Sequence, residues 1–139
     1  MRILAIDYGT KVTGLAITDF NQIIASPLSN IITSKLDELI NQLRKVITYY
    51  ESELEAIVVG YPTLLNGNKN ETTLKVETFV NKLKTTFSQF KVILVNEQYT
   101  TYIAEQSMYE VGLDHKKIKK NKDKVSACVI LQTYLSSKN

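Results

Sequence analysis

Three acidic residues stand where the sequence pattern predicts that core elements begin or end. Asp7 directly follows the apolar run 3–6. Glu97 follows the run 92–95 in the same way, and Asp123 precedes the apolar residues of the last predicted helix. Converging carboxylates beside a core repel one another unless a cation compensates their charge. With one His and one Cys in the chain, the chemistry that fits is an all-oxygen site for Mg²⁺ or Mn²⁺, and two such ions can stabilise both oxygens of a phosphodiester displacement.

Each acid also has an explanation that needs no metal. Asp7 could cap the turn made with Gly9, as Asp often does before Gly. Glu97 could be a solvated residue at the edge of a sheet. Asp123 could be favoured by the dipole in the first turn of a helix. The combination of the three is more specific to a metal site than any one of them.

The apolar pattern predicts the elements that carry these acids. Short aliphatic runs predict strands at 3–6, 15–17, 23–25, 56–59 and 92–95, and the third of them ends at Ser26 and Pro27. Apolar residues at helical spacing predict helices within 36–47, 76–87, 104–111 and 125–135. The predicted order is therefore βββ-α-β-α-β-α-α.

This order predicts an α/β fold. Its mixed five-stranded sheet joins a three-stranded antiparallel meander to parallel strands, with helices on both faces. In open α/β sheets, binding sites form at the carboxyl ends of the strands. Asp7 and Glu97 follow two different strands and Asp123 begins the last helix, so all three can converge there.

Length and composition exclude several classes of protein. A chain of 139 residues is typical of one domain whose core needs no disulfide or metal staple, and we expect a single domain over residues 1–139. No apolar stretch approaches the ~20 residues of a membrane span. The N-terminal run reaches Asp7 without a small-residue cleavage site, so we expect no signal peptide and a cytoplasmic protein.

The positive charge is concentrated in one short segment. Between Gly112 and Lys124, six Lys stand against two Asp, whereas the whole chain has a net charge of +3. This segment could bind phosphates through counterion release. It could equally be a solvated, partly disordered Lys-rich loop.

Several motifs resemble those of the YqgF/RuvX family of the ribonuclease-H-like superfamily, whose members are described as Holliday junction resolvases or pre-16S rRNA nucleases. The first is Asp-Tyr-Gly-Thr-Lys-Val-Thr-Gly-Leu-Ala at 7–16. The others are Val-Val-Gly-Tyr-Pro at 58–62, Asn-Glu-Gln-Tyr-Thr-Thr at 96–101, and Lys-Asp at 122–123 leading into 126–135. Together they span nearly the whole chain.

The resemblance implies a ribonuclease-H-like fold and a nuclease in which Asp7, Glu97 and Asp123 match the three acidic active-site positions. They would hold two Mg²⁺ or Mn²⁺ ions, with Asp7 bridging them. Other residues would contact nucleic-acid phosphates, which positions a substrate without reading its sequence. These are Lys11, Thr100 and Thr101 near the site and Lys116, Lys117, Lys119 and Lys120 further out. The family Arg positions are Val12 and Gln98 here, so we expect affinity or substrate choice to differ from that of relatives.

Three functions compete. The first is a metal-dependent nuclease that processes the 5′ end of pre-16S rRNA, acting as a monomer in ribosome biogenesis, with branched DNA in recombination as the alternative substrate. The second is a non-catalytic RNA-binding assembly factor, suggested by the two missing Arg residues. The third is a phosphotransferase, because Asp-x-Gly-Thr also resembles the phosphate hairpin of sugar kinases and actin-like ATPases. Those enzymes close two such domains on ATP, and one domain is expected here.

Overall fold

A computed structural model describes residues 1–62, 69–96 and 115–138, and within the last range the side chains from residue 126 onward. Eight elements lie in these ranges. The strands are β1 (Arg2–Asp7), β2 (Val12–Thr18), β3 (Ala25–Ile32), β4 (Leu54–Tyr61) and β5 (Lys91–Asn96). The helices are α1 (Leu36–Tyr50), α2 (Glu71–Thr86) and α3 (His115–Lys138).

The strands form one mixed sheet in the order β3-β2-β1-β4-β5. β1, β2 and β3 make the predicted antiparallel meander, and β4 and β5 pair in parallel with β1 and with each other. The carboxyl end of the sheet, marked by Asp7, Tyr61 and Asn96, thus collects the ends of three neighbouring strands. The amino end, marked by Arg2, Leu54 and Lys91, lies opposite.

Helices cover the two faces of the sheet with side chains of different size. Alternation along β1 places Leu4 and Ile6 on the face that α1 and α2 cover, where large residues such as Phe79 fill the core. Ile3 and Ala5 lie on the face that α3 covers. Three small residues meet in that second layer, Ala5, Ala16 and Ala127, and all three are fully buried.

The third strand differs from the prediction. It begins at Ala25, the last residue of the predicted strand, and includes Pro27. The predicted residues Ile23 and Ile24 instead lie in a turn, where both their N–H groups donate to Asp19 Oδ1, at 2.7 and 2.8 Å. Since β3 is an edge strand, Pro27 can lie within it without the N–H that a central strand would need.

The last helix also differs from the prediction. It begins at His115, about three turns before the predicted start at residue 125, so the Lys-rich segment has helical backbone rather than a loop. Asp123 is consequently inside the helix and not in its first turn, which removes the dipole as the reason for an acid at this position. The helix predicted at 104–111 lies outside the described residues. Within the described part of the chain, no helix is long and apolar enough to cross a membrane.

Candidate active site at the carboxyl end of the sheet

Asp7 is the last residue of β1 and pairs with Gly14 of β2. Its side chain is half-buried. Because side chains alternate along a strand, Asp7 lies on the face of Ala5 and α3, whereas the next residue, Tyr8, packs with the core on the other face. The predicted catalytic carboxylate is therefore at the carboxyl end of the sheet, on the side that α3 covers.

The loop after Asp7 is held by backbone contacts that require a glycine. A Cβ on Gly9 would lie 2.1 Å from the carbonyl oxygen of Val12, closer than two such atoms can approach. The hydroxyl of Thr13, a buried residue, accepts from the Gly9 N–H at 3.4 Å and donates to the Gly9 carbonyl at 3.3 Å. Lys11 at the tip is exposed, and its carbonyl accepts from Thr33 N at 3.0 Å.

Helix α2 is fixed to the same end of the sheet by two contacts. The ring of Tyr8 stacks on the ring of buried Phe79, with centroids 4.7 Å apart and planes 10° from parallel. The hydroxyl of Thr73 donates to the carbonyl of Pro62, just beyond β4, at 2.8 Å. Asn70 accepts from Thr73 N at 2.9 Å and completes a capping box at the start of the helix. These contacts set the first turns of α2 beside the loop that follows Asp7.

A cleft of about 310 Å³ separates the β1–β2 loop from the first turns of α2. It is lined by Tyr8, Gly9, Thr10, Thr72 and Lys75. Lys75 Nζ is 3.5 Å from Glu71 Oε1, and both side chains are at least half exposed. The cleft begins at the residue after Asp7, at the same carboxyl end of the sheet, but it lies on the α2 side, whereas Asp7 faces α3.

A second polar cluster lies at the ends of β4 and β5. The phenol of Tyr61 donates to Glu77 Oε1, and Lys69 Nζ lies 2.6 Å from the same oxygen. The hydrogen bonds from Lys69 and Tyr61 lower the pKa of Glu77, and the hydrogen bond to Glu77 raises the pKa of Lys69 and that of Tyr61. Tyr61 pairs in register with Asn96, the residue before Glu97.

The C-terminal end of α3 lies at the opposite, amino end of the sheet. Lys138 Nζ is 3.6 Å from Glu55 Oε2, near the start of β4, and donates to Gln22 Oε1 at 3.2 Å. Two to three turns earlier, Ala127 and Leu131 pack in the core with Ile3 and its neighbours. α3 therefore runs from the carboxyl end of the sheet toward its amino end.

The structure describes only part of the predicted site. Asp7 and Lys11 lie at the carboxyl end of the sheet. Asp123 belongs to α3, and so do the four lysines predicted to contact phosphates, Lys116, Lys117, Lys119 and Lys120. For these five residues the structure describes the helical backbone and not the side chains. Glu97, Thr100 and Thr101 fall outside the described residues altogether. Among the described side chains, no three His, Cys, Asp or Glu residues are grouped closely enough to hold a metal ion.

Sequence reasoning did not find Lys75 or Thr72. Both residues occupy polar positions between the apolar residues of α2, where Lys and Thr are common in any exposed helix. Lys75 precedes Phe79 by one helical turn, and only the stacking of Phe79 on Tyr8 indicates that this Lys stands beside the loop. No local sequence signal could have shown a contact between residues so far apart in the chain.

Comparison with known proteins gives consistent matches along the whole chain. The family model described as "RuvX: Holliday junction resolvase" matches residues 1–137. A protein of Phocaeicola vulgatus named "Putative pre-16S rRNA nuclease" is 42% identical over 141 residues, covering 99% of this chain and 96% of that protein. A protein of the same name from Ureaplasma parvum serovar 3 is 42% identical over 142 residues, covering 98% and 97%.

Two solved structures resemble the fold of this chain. RuvC of T. thermophilus, in complex with a Holliday junction substrate, gives a TM-score of 0.62 at 15% identity, covering 99% of this chain and 96% of that one. The fowlpox virus resolvase, in complex with Holliday junction DNA, gives 0.60 at 16% identity, covering 99% of each chain. These similarities confirm the ribonuclease-H-like fold that the sequence motifs imply.

Proposed function

The chain belongs to the RuvX family, and from this membership we propose that it is a divalent-metal-dependent nuclease whose active site surrounds Asp7 at the carboxyl end of the sheet. Its proposed substrate is the 5′ end of pre-16S rRNA. The observation that carries the proposal is the place of Asp7, which ends β1 in the RuvX-like sequence motif and stands on the face covered by α3. The relatives at 42% identity carry the name pre-16S rRNA nuclease, which supports the choice of substrate.

The proposed metal ligands are Asp7, Glu97 and Asp123. Three carboxylates form the oxygen-only donor set that Mg²⁺ and Mn²⁺ prefer. The register of β5 supports the inclusion of Glu97, because Asn96 lies beside Tyr61 at the carboxyl end, two strands from β1 and hence roughly 10 Å away across the sheet. Bound ions would supply Lewis-acid stabilisation of the charge that develops on the phosphate oxygens.

The direction and length of α3 support the inclusion of Asp123. From Lys138 back to Asp123 the helix rises about 22 Å at 1.5 Å per residue. β1 spans about 17 Å from Arg2 to Asp7. Since Lys138 lies at the amino end of the sheet, the helix is long enough to bring Asp123 level with Asp7. Asp123 also precedes buried Ala127 by one turn, which is the spacing of residues on the same helix face.

Other residues of this chain would bind and orient the substrate strand. Lys11 is exposed at the tip of the loop after Asp7, where an ammonium group can contact a phosphate. Thr100 and Thr101 would contribute hydroxyl donors, and the Lys-rich part of α3 (Lys116, Lys117, Lys119 and Lys120) would contact the backbone further away. Val12 and Gln98 stand at the family Arg positions, so we expect fewer cationic contacts close to the scissile bond than in relatives that have those Arg residues.

A second substrate, branched DNA, is favoured by one observation, the family description as Holliday junction resolvase. Symmetric cleavage of a junction needs two active sites related by a two-fold axis, and therefore a dimer. Processing of an rRNA end needs one site. We propose that the chain acts as a monomer on RNA, and a stable dimer in solution would favour the junction instead.

The test compares wild type and Asp7→Asn on a pre-16S 5′ leader and on a four-way DNA junction, with Mg²⁺ or with EDTA. We expect Mg²⁺-dependent cleavage of the leader, and a loss of roughly 100-fold or more in Asp7→Asn because a metal ligand is removed. Asp19→Asn is the matched control, since Asp19 lies in the turn at the amino end of the sheet. Tight RNA binding without cleavage of any substrate would overturn the nuclease and leave an RNA-binding factor.

A further inference from the structure

We propose that the cleft between the β1–β2 loop and α2 binds one backbone phosphate of the substrate strand, next to the scissile phosphate, with Lys75 as its cationic contact. The inference rests on the proposed nuclease function and adds to it a positioning residue on α2, an element to which that function gave no role. The cleft is lined by Tyr8, Gly9, Thr10, Thr72 and Lys75, with a volume of about 310 Å³.

The composition of the cleft suits an anion. None of the five lining residues that the structure describes is acidic, Lys75 supplies a positive charge, and Thr10 and Thr72 supply hydroxyl groups. Ser and Thr hydroxyls and Lys ammonium groups are the usual protein contacts to nucleic-acid phosphates. The cleft therefore offers charge and hydrogen-bond donors to one phosphate group.

The position of the cleft fits a strand that passes Asp7. Tyr8, Gly9 and Thr10 are the three residues after Asp7, so the cleft begins within about 10 Å of the carboxylate along the chain. A nucleic-acid strand that crosses the carboxyl end of the sheet, with its scissile phosphate at Asp7 on the α3 side, would bring a neighbouring phosphate to the cleft on the α2 side. A phosphate held there would fix the direction of the strand across the site without selecting its sequence.

The wall formed by α2 is held against the loop by core packing. Phe79, which is fully buried, stacks on Tyr8 with centroids 4.7 Å apart. Lys75 lies one turn before Phe79 and Thr72 lies one further turn back, so that three residues of one helix face stand along the loop. The packing of Phe79 on Tyr8 thus holds this part of α2 against the loop, where Lys75 lines the cleft together with Gly9 and Thr10.

Lys75 can exchange its present contact for a phosphate at little cost. Its ammonium lies 3.5 Å from Glu71 Oε1 in an (i, i+4) pair, with 50% of the Lys75 side chain and 86% of the Glu71 side chain exposed. Exposed pairs of this kind contribute little to stability. A backbone phosphodiester carries the same unit charge and, like a carboxylate, two charged oxygens, so it can replace the exposed Glu71 as the partner of the ammonium group.

The experiment measures binding of a single-stranded RNA with the sequence of the pre-16S 5′ leader to Asp7→Asn protein, at salt concentrations from 50 to 200 mM. Lys75→Ala in that background should weaken binding roughly five- to tenfold and lower the slope of log affinity against log salt by about 0.7, the value for one phosphate contact on a single strand. Lys82→Ala is the matched control, because Lys82 is an exposed Lys further along the same helix. Lys75→Arg should keep most of the affinity.

Cleavage kinetics give a second readout in protein with an intact Asp7. Lys75→Ala should raise KM while kcat changes less than twofold, since the contact binds substrate and takes no part in the reaction. If Lys75→Ala and Lys82→Ala have the same affinity, salt slope and KM, the proposed phosphate site in the cleft is wrong and the nuclease proposal stands. If Lys75→Ala alters the salt slope but protein with an intact Asp7 cleaves no substrate, the phosphate site is supported and the nuclease proposal is wrong. Absence of any RNA binding would overturn both.

Discussion

Two buried threonines of one strand, Thr13 and Thr18, show how differently the two ends of the sheet are built. At the amino end, Thr18 Oγ1 accepts from Ile3 N at 2.8 Å, and the Thr18 carbonyl accepts from the Arg2 guanidinium at 2.9 Å. At the carboxyl end, the Thr13 hydroxyl contacts the Gly9 backbone at 3.3 and 3.4 Å. The hydrogen bonds of Thr18 have ideal lengths, whereas those of Thr13 are at the long limit for a hydrogen bond.

The surroundings of these residues continue the contrast. The Arg2 guanidinium also donates to Glu53 at 2.8 Å and lies over the ring of Tyr50. The carboxylate of Asp19 accepts from the backbone N–H groups of Ile24 and Ile23, and these hydrogen bonds lower its pKa. At the carboxyl end, Lys11 is exposed, and the pairing of Lys75 with Glu71 is long and solvated. Beside β1 and β2, the amino end uses its polar groups to hold the fold, whereas the β1–β2 loop and the facing turns of α2 keep Lys11 and Lys75 accessible to a ligand.

The largest expected effect on stability is at the amino end. Thr18→Val should lower the free energy of unfolding by about 1–3 kcal/mol, because it leaves the buried N–H of Ile3 without its acceptor. Denaturant unfolding measures this loss, and Thr18→Ser, which keeps the hydroxyl, should recover most of it. Nuclease activity of the folded variant should equal that of wild type. A Thr18→Val protein as stable as wild type would contradict the contrast between the ends.

The matching substitution at the carboxyl end, Thr13→Val, should lower stability less and nuclease activity more than Thr18→Val does. Thr13→Val loses two long hydrogen bonds and should cost about 0.5–1 kcal/mol. Because those bonds position the loop after Asp7, cleavage should fall roughly tenfold, as small displacements at a reacting centre do. Thr13→Ser is the control for the hydroxyl. Equal losses of activity in Thr13→Val and Thr18→Val would show that the two ends are not specialised.

The smallest expected effect is a pH dependence at the carboxyl end. The bonds from Lys69 and Tyr61 lower the pKa of Glu77 in the folded protein. A carboxyl whose pKa is lowered by folding contributes stability above its unfolded pKa, and this contribution is lost as the pH falls through the folded value. Below about pH 5, the Tm of wild type should therefore fall more steeply than that of Glu77→Gln. Glu51→Gln, which changes an exposed Glu outside this cluster, is the control for the substitution itself.

Most of the sheet could be predicted because its strands have a clear apolar pattern. Residues 3–6 and 56–59 are buried aliphatic runs in central strands, and the structure places β1 and β4 there. The third strand was misplaced because Ser26 and Pro27 usually end a strand, a rule that an edge strand relaxes. The last helix was predicted too short because apolar spacing begins only at Val125, although Lys is itself a good helix former.

The candidate site was predictable where its chemistry follows directly from a strand. Asp7 is marked by its type and by the apolar run before it, and the structure puts it at the end of β1. Lys75 depends instead on the stacking of Tyr8 on Phe79, a contact between residues distant in sequence. Such a contact is decided by the packing of a helix on a sheet, and one sequence does not record it. The places of Glu97 and Asp123 in the site stay predictions.

Three buried alanines, Ala5, Ala16 and Ala127, pack in the layer between α3 and the sheet. Methyl groups allow the helix axis to lie close to β1 and β2, and close-packed interiors do not absorb an added methylene without moving the backbone. A larger side chain at any of the three positions would lift α3 away from the strand that ends in Asp7. The catalytic efficiency of this nuclease would then change through main-chain geometry alone, with every carboxylate still present.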